Sequence, residues 1–132
     1  MPAIRKFPQE DQTNGWTRTG LAFNAFATLQ SGTDAVCRIY IPPGLGDGHF
    51  FGRDQAECIA TLTAFASFVQ EAPAFFYLYP AAGGICAAAT VPVYRLYSNR
   101  ADANHRYTTS RPVREQMVAR GWLAEGDGPD TV

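Results

Sequence analysis

The chain has 132 residues, enough for one domain or a few small structural repeats. Hydrophobic residues make up 46% of it, so that disorder is excluded as its overall state, and no apolar run is long enough to cross a membrane. The formal net charge of −1 argues against a protein that binds the nucleic-acid backbone, because such proteins carry a basic surplus.

The first group of predicted elements lies in residues 36–80. Asp54 is a candidate N-cap, because Glu57 follows three residues later and begins an apolar helical pattern. The predicted helix runs from Gln55 to about Phe65. Alternating β-branched and aromatic residues predict strands over residues 36–41, 49–51 and 68–79, the last interrupted by Pro73.

A second group, in residues 91–132, is predicted to repeat this order after a connector of small residues. Ser110 is the candidate N-cap of a helix that has Pro112 in its first turn and continues to about Arg120. Gly121 is expected to end that helix, because glycine adopts the left-handed conformation that follows a C-cap. The predicted strands are residues 93–97 and 105–108.

The two groups align with each other by their motifs, with slightly different spacings. The Arg38–His49–Glu71 set has spacings of 11 and 22 residues, and the Arg95–His105–Glu125 set has spacings of 10 and 20. Between the histidine and the last glutamate of each set, the alignment also pairs Glu57 with Glu115. A third, partial copy around Trp16 resembles the segment that begins at Trp122.

These patterns predict a single domain, residues 1–132, built from about two and a half units. The units are a partial one at residues 15–35 and two fuller ones at residues 36–80 and 91–132. Each fuller unit has the order strand, strand, helix, strand, so the predicted class is α+β with short, mainly antiparallel strands. A β-trefoil-like fold is the alternative, but it would need strands where helices are predicted.

The second unit contains Tyr94-Arg95-Leu96-Tyr97, then His105-Arg106-Tyr107-Thr108-Thr109, then Gly121-Trp122-Leu123-Ala124-Glu125-Gly126. In these residues the chain resembles DUF5648, a bacterial and fungal repeat family of unknown function, and the resemblance covers residues 15–132. Members of the family look like accessory modules of secreted hydrolases, including enzymes that lyse cell walls. The resemblance therefore implies that this chain binds a polysaccharide or the cell wall.

The repeated Arg, His and Glu sets allow three interpretations. They form a charge-assisted network that holds each unit together, with the histidine bridging its partners through both ring nitrogens. Alternatively they form the polar floor of a site for a sugar-sized ligand. A catalytic His/Glu pair is disfavoured, because an active site is seldom duplicated in so short a chain, and no enzyme is predicted.

The second unit keeps the fuller motif, so its site is expected to be the stronger one. This site is predicted around Arg95, His105, Tyr107 and Trp122, with Glu125 in the polar set and Asn99 and Asp102 at the rim. The weaker equivalent comprises Arg38, His49 and Glu71. Neither a cofactor nor a metal is predicted, because no phosphate-binding glycine motif and no calcium-loop pattern is present.

Three cysteines, at positions 37, 58 and 86, complete the set of candidate residues. Cys37 and Cys58 flank a loop and strand that return on themselves within one unit, so a disulfide is predicted between them. Cys86 is then left over, with its partner expected beyond Val132. A disulfide indicates secretion. No signal peptide is visible, so either the protein is cytosolic or its signal was removed, and the abrupt end at Val132 also suggests a piece of a longer protein.

The predicted function is a non-catalytic carbohydrate- or cell-wall-binding accessory module of a secreted protein. Its expected partner is a polysaccharide or cell-wall glycan, with no nucleic acid and no membrane. Two alternatives stay open, a cell-surface protein-interaction module and a small hydrolase.

Overall fold

The computed structural model describes residues 4–6 and 22–132, which form eight strands and two helices. The strands are β1 Ile4–Lys6, β2 Asn24–Phe26, β3 Asp34–Ile41, β4 Gly48–Gly52, β5 Val69–Leu78, β6 Tyr94–Tyr97, β7 His105–Thr108 and β8 Leu123–Ala124. The helices are α1 Gln55–Ala64 and α2 Arg111–Ala119. The predicted α+β class is confirmed, and helices occupy both segments where a trefoil needs strands. Among the described residues, no helix has the length and apolar character to cross a membrane.

The strands form two separate sheets. The first has the order β1-β2-β5-β3-β4 and the second the order β7-β6-β8, and all of these pairings are antiparallel. Pro73 does not interrupt β5, contrary to the prediction. Instead the pairing of β3 with β5 shifts register between Val36 and Ile39, and an irregularity of this kind tolerates a proline in a strand.

One face of the larger sheet packs on α1. Cys37, Ile39 and Ile41 of β3 are fully buried. They share this face of the sheet because side chains two residues apart on a strand point the same way. The predicted disulfide is confirmed, since Cys37 on β3 is bonded to Cys58 on α1. Cys86 is a free cysteine. A structural disulfide is typical of proteins from oxidising environments.

Both helices begin as predicted. The Asp54 carboxylate accepts a hydrogen bond from the backbone N–H of Glu57, and the Ser110 hydroxyl accepts one from Val113. Glu57 returns a bond, accepting from the backbone N–H of Arg53 at 2.8 Å. Gly121, with φ of 94°, follows α2 in the left-handed conformation expected of it.

The other face of the larger sheet packs toward the second sheet. Val36, Phe51 and Phe76 form its buried centre, and Tyr107 of β7 packs against them. The Tyr107 hydroxyl accepts a hydrogen bond from the N–H of Phe51 at 2.7 Å and lies 3.2 Å from its carbonyl oxygen. These hydrogen bonds join β4 of the first unit to β7 of the second.

Candidate functional site

Both units bring their repeated residues together through the same strand register. In each, a tyrosine stands opposite the histidine on one neighbouring strand and opposite an apolar residue on the other. These sets are Tyr40 with His49 and Val69, and Tyr97 with His105 and Leu123. The arginine lies two residues before the tyrosine, so its side chain points to the same face.

The first polar set is half-exposed. The Nε atom of Arg38 lies 2.7 Å from Oε2 of Glu71, and its Nη2 lies 3.0 Å from Nε2 of His49. The same histidine nitrogen is 3.1 Å from Oε2 of Glu71. All three predicted residues are therefore in contact, but through one ring nitrogen of the histidine.

The second polar set is more deeply buried. The Nε atom of Arg95 and the Nε2 atom of His105 both contact Oε1 of Glu125, at 3.1 and 3.2 Å. The His105 ring stacks on Tyr97 and meets Phe50 edge-on. Its Nδ1 is buried and has no hydrogen-bond partner among the described residues. The expected bridge through both ring nitrogens is thus wrong for this set also, because aromatic rings occupy the space around the imidazole.

A fourth residue, Glu57, completes the second set, and it comes from the first unit. Its Oε2 and Oε1 atoms accept hydrogen bonds from Nη1 and Nη2 of Arg95 at 2.9 and 2.5 Å, a bidentate pair. The ring of Phe50 lies under the same guanidinium, 4.8 Å from its central carbon. Arg95 therefore holds two carboxylates and also joins the two units.

The sequence alignment concealed this role of Glu57. It paired Glu57 with Glu115, but the N-caps place Glu57 third in α1 and Glu115 fifth in α2, so the alignment is wrong by two residues. Val113 holds the third position of α2, and the exposed Glu115 pairs with Arg111 along the helix surface. Counting from each N-cap would have revealed that only the first unit carries a carboxylate at this position.

The ion pairs shift the pKa values of the residues that form them. Burial opposes ionisation of Glu57 and Glu125, but hydrogen bonds and the charge of Arg95, with a further hydrogen bond from His105 to Glu125, hold the pKa of both carboxyls below the ordinary value. Burial raises the pKa of the Tyr107 hydroxyl, even though the charge of Arg95 acts in the opposite direction. At neutral pH the site therefore contains two ionised carboxylates, a charged guanidinium and a neutral phenol.

The described residues line an open cavity of about 900 Å³ next to the second polar set. Its polar end is formed by Arg53, Glu57, Arg95, Glu125 and Asp127, with Tyr107 beside them. Its apolar wall includes Phe26, Val36, Phe51, Phe76 and Leu78, and Tyr79, Cys86 and the 88–93 connector also line it. A volume of this size is ordinary for a small-ligand site.

The structure divides the predicted site residues between the cavity and the surface. Arg95, Tyr107 and Glu125 line the cavity, whereas His105 stands behind Glu125 and does not. Trp122 lies under the guanidinium of Arg100, which is 5.6 Å from its ring. At the predicted rim, Asp102 is ion-paired with Arg100 and Asn99 is exposed, so both belong to a loop outside the cavity.

The two loops that precede the histidines contact each other. The N–H of Ala103 donates a hydrogen bond to the carbonyl of Leu45 at 2.8 Å. Any side chain at Gly46 would place its Cβ 2.1 Å from the carbonyl oxygen of Ala103, so only glycine allows this approach. The two loops therefore contact each other and connect the two units.

The third, partial copy falls largely outside the described residues, since Trp16 and residues 15–21 are not among them.

Within the described part of the chain, no group of three His, Cys, Asp or Glu side chains is arranged to hold a metal ion. The side chains of the second polar set are held in place by their mutual ion pairs.

Comparison with known proteins supports one assignment. No curated protein and no solved structure matched the chain. A family model described as a domain of unknown function (DUF5648) matches residues 5–128, nearly the whole chain. The chain belongs to this family, as the motifs of its second unit indicated.

Proposed function

We propose that this protein is a non-catalytic carbohydrate-binding module. The observation that carries the proposal is the cavity of about 900 Å³, which has an apolar, partly aromatic wall on one side and fixed planar polar groups on the other. A sugar has the same two characters, since its ring has apolar faces and its hydroxyl groups lie around the edge. A cavity of this kind can contact both.

The polar end is suited to accepting hydrogen bonds from hydroxyl groups. The Glu57 and Glu125 carboxylates are held by Arg95, so a ligand need not order them on binding. Their lowered pKa values keep them ionised at neutral pH, and a charged acceptor makes a stronger hydrogen bond than a neutral one.

The same geometry gives no support to the hydrolase alternative. A glycosidase needs one carboxylic acid that stays protonated to donate to the leaving group, which requires a raised pKa. Both glutamates of the cavity are bound to one arginine, and the pKa of each is lowered. Neither carboxyl is therefore suited to the role of general acid.

We further infer that the protein works outside the cytoplasm as an accessory module of a secreted protein. The Cys37–Cys58 disulfide supports this, because such bonds persist in oxidising compartments.

A glycan array probed with the intact protein tests the function, followed by calorimetric titration of each neutral glycan that binds. Tyr79 lines the cavity and is half-exposed, so Tyr79→Ala is expected to weaken binding by about tenfold, corresponding to roughly 1.4 kcal/mol. Phe65→Ala removes a similarly exposed aromatic ring outside the cavity and is expected to leave affinity unchanged. If no glycan binds, or if both variants lose affinity equally, the cavity is not a carbohydrate site.

One observation favours the alternative of a protein-interaction module. Ile59, Phe65 and Val69 are exposed, with Ile59 at 64% of its full accessible area, and they lie close together along the chain. Exposed apolar side chains that adjoin one another on a surface mark protein interfaces, and this alternative supposes that these three do. An Ile59→Ser variant that lost self-association in light scattering, with no glycan bound by either form, would favour this function over carbohydrate binding.

A further inference from the structure

The first polar set lacks the carboxylate that completes the second. In the second set, Nη1 and Nη2 of Arg95 are both bonded to Glu57. In the first, Nη2 of Arg38 contacts His49, and Nη1 has no polar partner in the part of the chain that the structure describes. Arg38 therefore presents the same edge of the guanidinium that Arg95 uses to bind a carboxylate.

The remaining features of the carboxylate-binding arrangement are already present around Arg38. The ring of Phe75 lies 5.1 Å from the guanidinium carbon of Arg38, as Phe50 lies 4.8 Å from that of Arg95. Glu71 is ion-paired with Arg38, its Oε2 lying 2.7 Å from Nε, as Glu125 is ion-paired with Arg95, but the contact at Arg38 Nε is not aligned as a hydrogen bond. The Arg38 side chain is 30% exposed against 15% for Arg95, so an outside group can reach it.

We propose that Arg38 is a second binding site, which takes the carboxylate of an acidic sugar residue. This goes beyond the cavity and rests on the proposed function only in naming a glycan as the bearer of the carboxylate. The guanidinium would hold the two carboxylate oxygens side by side through Nη1 and Nη2, in the geometry observed between Arg95 and Glu57.

The charges around Arg38 favour a sugar over an acidic peptide. Glu71 contacts Arg38 directly, and Asp47 accepts a hydrogen bond from the hydroxyl of Tyr40 on the same strand. The Glu71 carboxylate beside the guanidinium repels a run of negative charges, whereas the hydroxyl groups of a sugar with one carboxylate can donate to it. The Tyr40 ring, 5.5 Å from that of His49, extends the surface beside the guanidinium.

The test follows the arginine Nε–H signals of the intact, ¹⁵N-labelled protein by NMR. The probe is a disaccharide of one uronic acid and one neutral sugar, and its control is the same disaccharide with the carboxyl group reduced to an alcohol. The Arg38 signal is expected to shift saturably with the acid and to stay in place with the alcohol. A triglutamate peptide is titrated in parallel and is expected to shift this signal less than the acidic disaccharide at equal concentration.

Two variants locate the contact. Arg38→Lys keeps the positive charge but loses the paired nitrogens, so affinity for the acidic disaccharide is expected to fall about tenfold. Arg100→Lys changes an exposed arginine of the second unit and is expected to have no effect. Thermal melting of each variant confirms that it is folded.

Three results would overturn the proposal. These are an equal response to the reduced disaccharide, an unchanged affinity in Arg38→Lys, and stronger binding of the triglutamate peptide, which would assign the site to a protein partner. None of them depends on the cavity, because the proposed function is tested with neutral glycans and Tyr79→Ala. The two proposals can therefore fail separately.

Discussion

Arg95 shows how much of this molecule depends on single polar contacts. It binds Glu57 of the first unit and Glu125 of its own, and it lies over the ring of Phe50. A largely buried guanidinium that loses one carboxylate keeps the cost of its own desolvation, so the remaining structure is destabilised more than the lost bond alone would suggest.

Replacement of Glu125 by alanine is therefore expected to lower the free energy of unfolding by about 1–3 kcal/mol, because Arg95 and His105 both lose a partner. Urea denaturation measures the loss. Glu115→Ala removes an exposed glutamate whose one ion pair among the described residues is with Arg111, and a loss of less than about 0.5 kcal/mol is expected. Equal losses in the two variants would show that Glu125 acts as a solvated surface carboxylate.

At this scale the sequence was sufficient for contacts within a unit but not between units. The spacing of Arg38, His49 and Glu71 predicted their contact, because strand pairing is local and its register follows from the alternation of residues. The bond from Glu57 to Arg95 joins residues 38 positions apart in different units. It depends on how the units dock, which no local pattern encodes.

At the scale of the elements, Gly52 of β4 lies unusually close to the disulfide that joins β3 to α1. Gly52 pairs with Cys37 across the strands, and a Cβ on Gly52 would lie 2.6 Å from the sulfur of Cys58 and 2.9 Å from that of Cys37. The disulfide therefore requires a glycine at this position of the neighbouring strand.

Gly52→Ala is expected to cost about 1–3 kcal/mol of stability in the oxidised protein, because the added carbon overpacks the disulfide. In a Cys37→Ala, Cys58→Ala background the same substitution is expected to cost clearly less, even though loss of the bond itself costs roughly 3 kcal/mol. A double-mutant cycle from urea denaturation gives the coupling energy. Additive losses would mean that the glycine serves the strand and not the disulfide.

Element boundaries were well predicted where local chemistry decides them. Asp54 and Ser110 mark the helix starts because their side chains accept backbone hydrogen bonds there. The predicted interruption of β5 at Pro73 was wrong, because a register shift in the pairing of β3 with β5 accommodates the proline. Such irregularities arise from the partner strand and leave no trace in the segment itself.

For the whole molecule, the pKa shifts predict how stability changes with pH. Glu57 and Glu125 have lowered pKa values in the folded state, so the unfolded chain binds more protons below about pH 5, and stability falls as the pH decreases from there. Tyr107 has a raised pKa when folded, so stability falls as the pH rises above about 10. A plateau is expected between these limits.

Urea denaturation at intervals from pH 3 to pH 11 measures this profile. In Tyr107→Phe the decline above pH 10 is expected to be smaller, because the buried hydroxyl is gone, whereas the acidic decline is expected to remain. A stability that stays constant between pH 5 and pH 3 would show that the ion pairs of Arg95 contribute nothing to folding.

The position of the cavity depends on the whole molecule, which is why the sequence predicted only some of the residues that line it. Arg95, Tyr107 and Glu125 were chosen correctly as neighbours, but the connector lines the cavity, whereas the loop of Asn99 and Asp102 does not. Cavities form where elements distant in sequence fail to fill space, and this depends on the docking of the two sheets.

The hydroxyl of Tyr107 covers part of a strand edge through which copies of this protein could aggregate. β4 is an edge strand, and the backbone N–H and carbonyl of Phe51 point away from β3 to meet Tyr107, with Arg95 also reaching that carbonyl. An uncovered strand edge is a template on which a second chain can add a strand and start aggregation. By capping these groups with side chains, the second unit blocks the edge of β4 at Phe51, so its docking is expected to hinder the addition of a strand there.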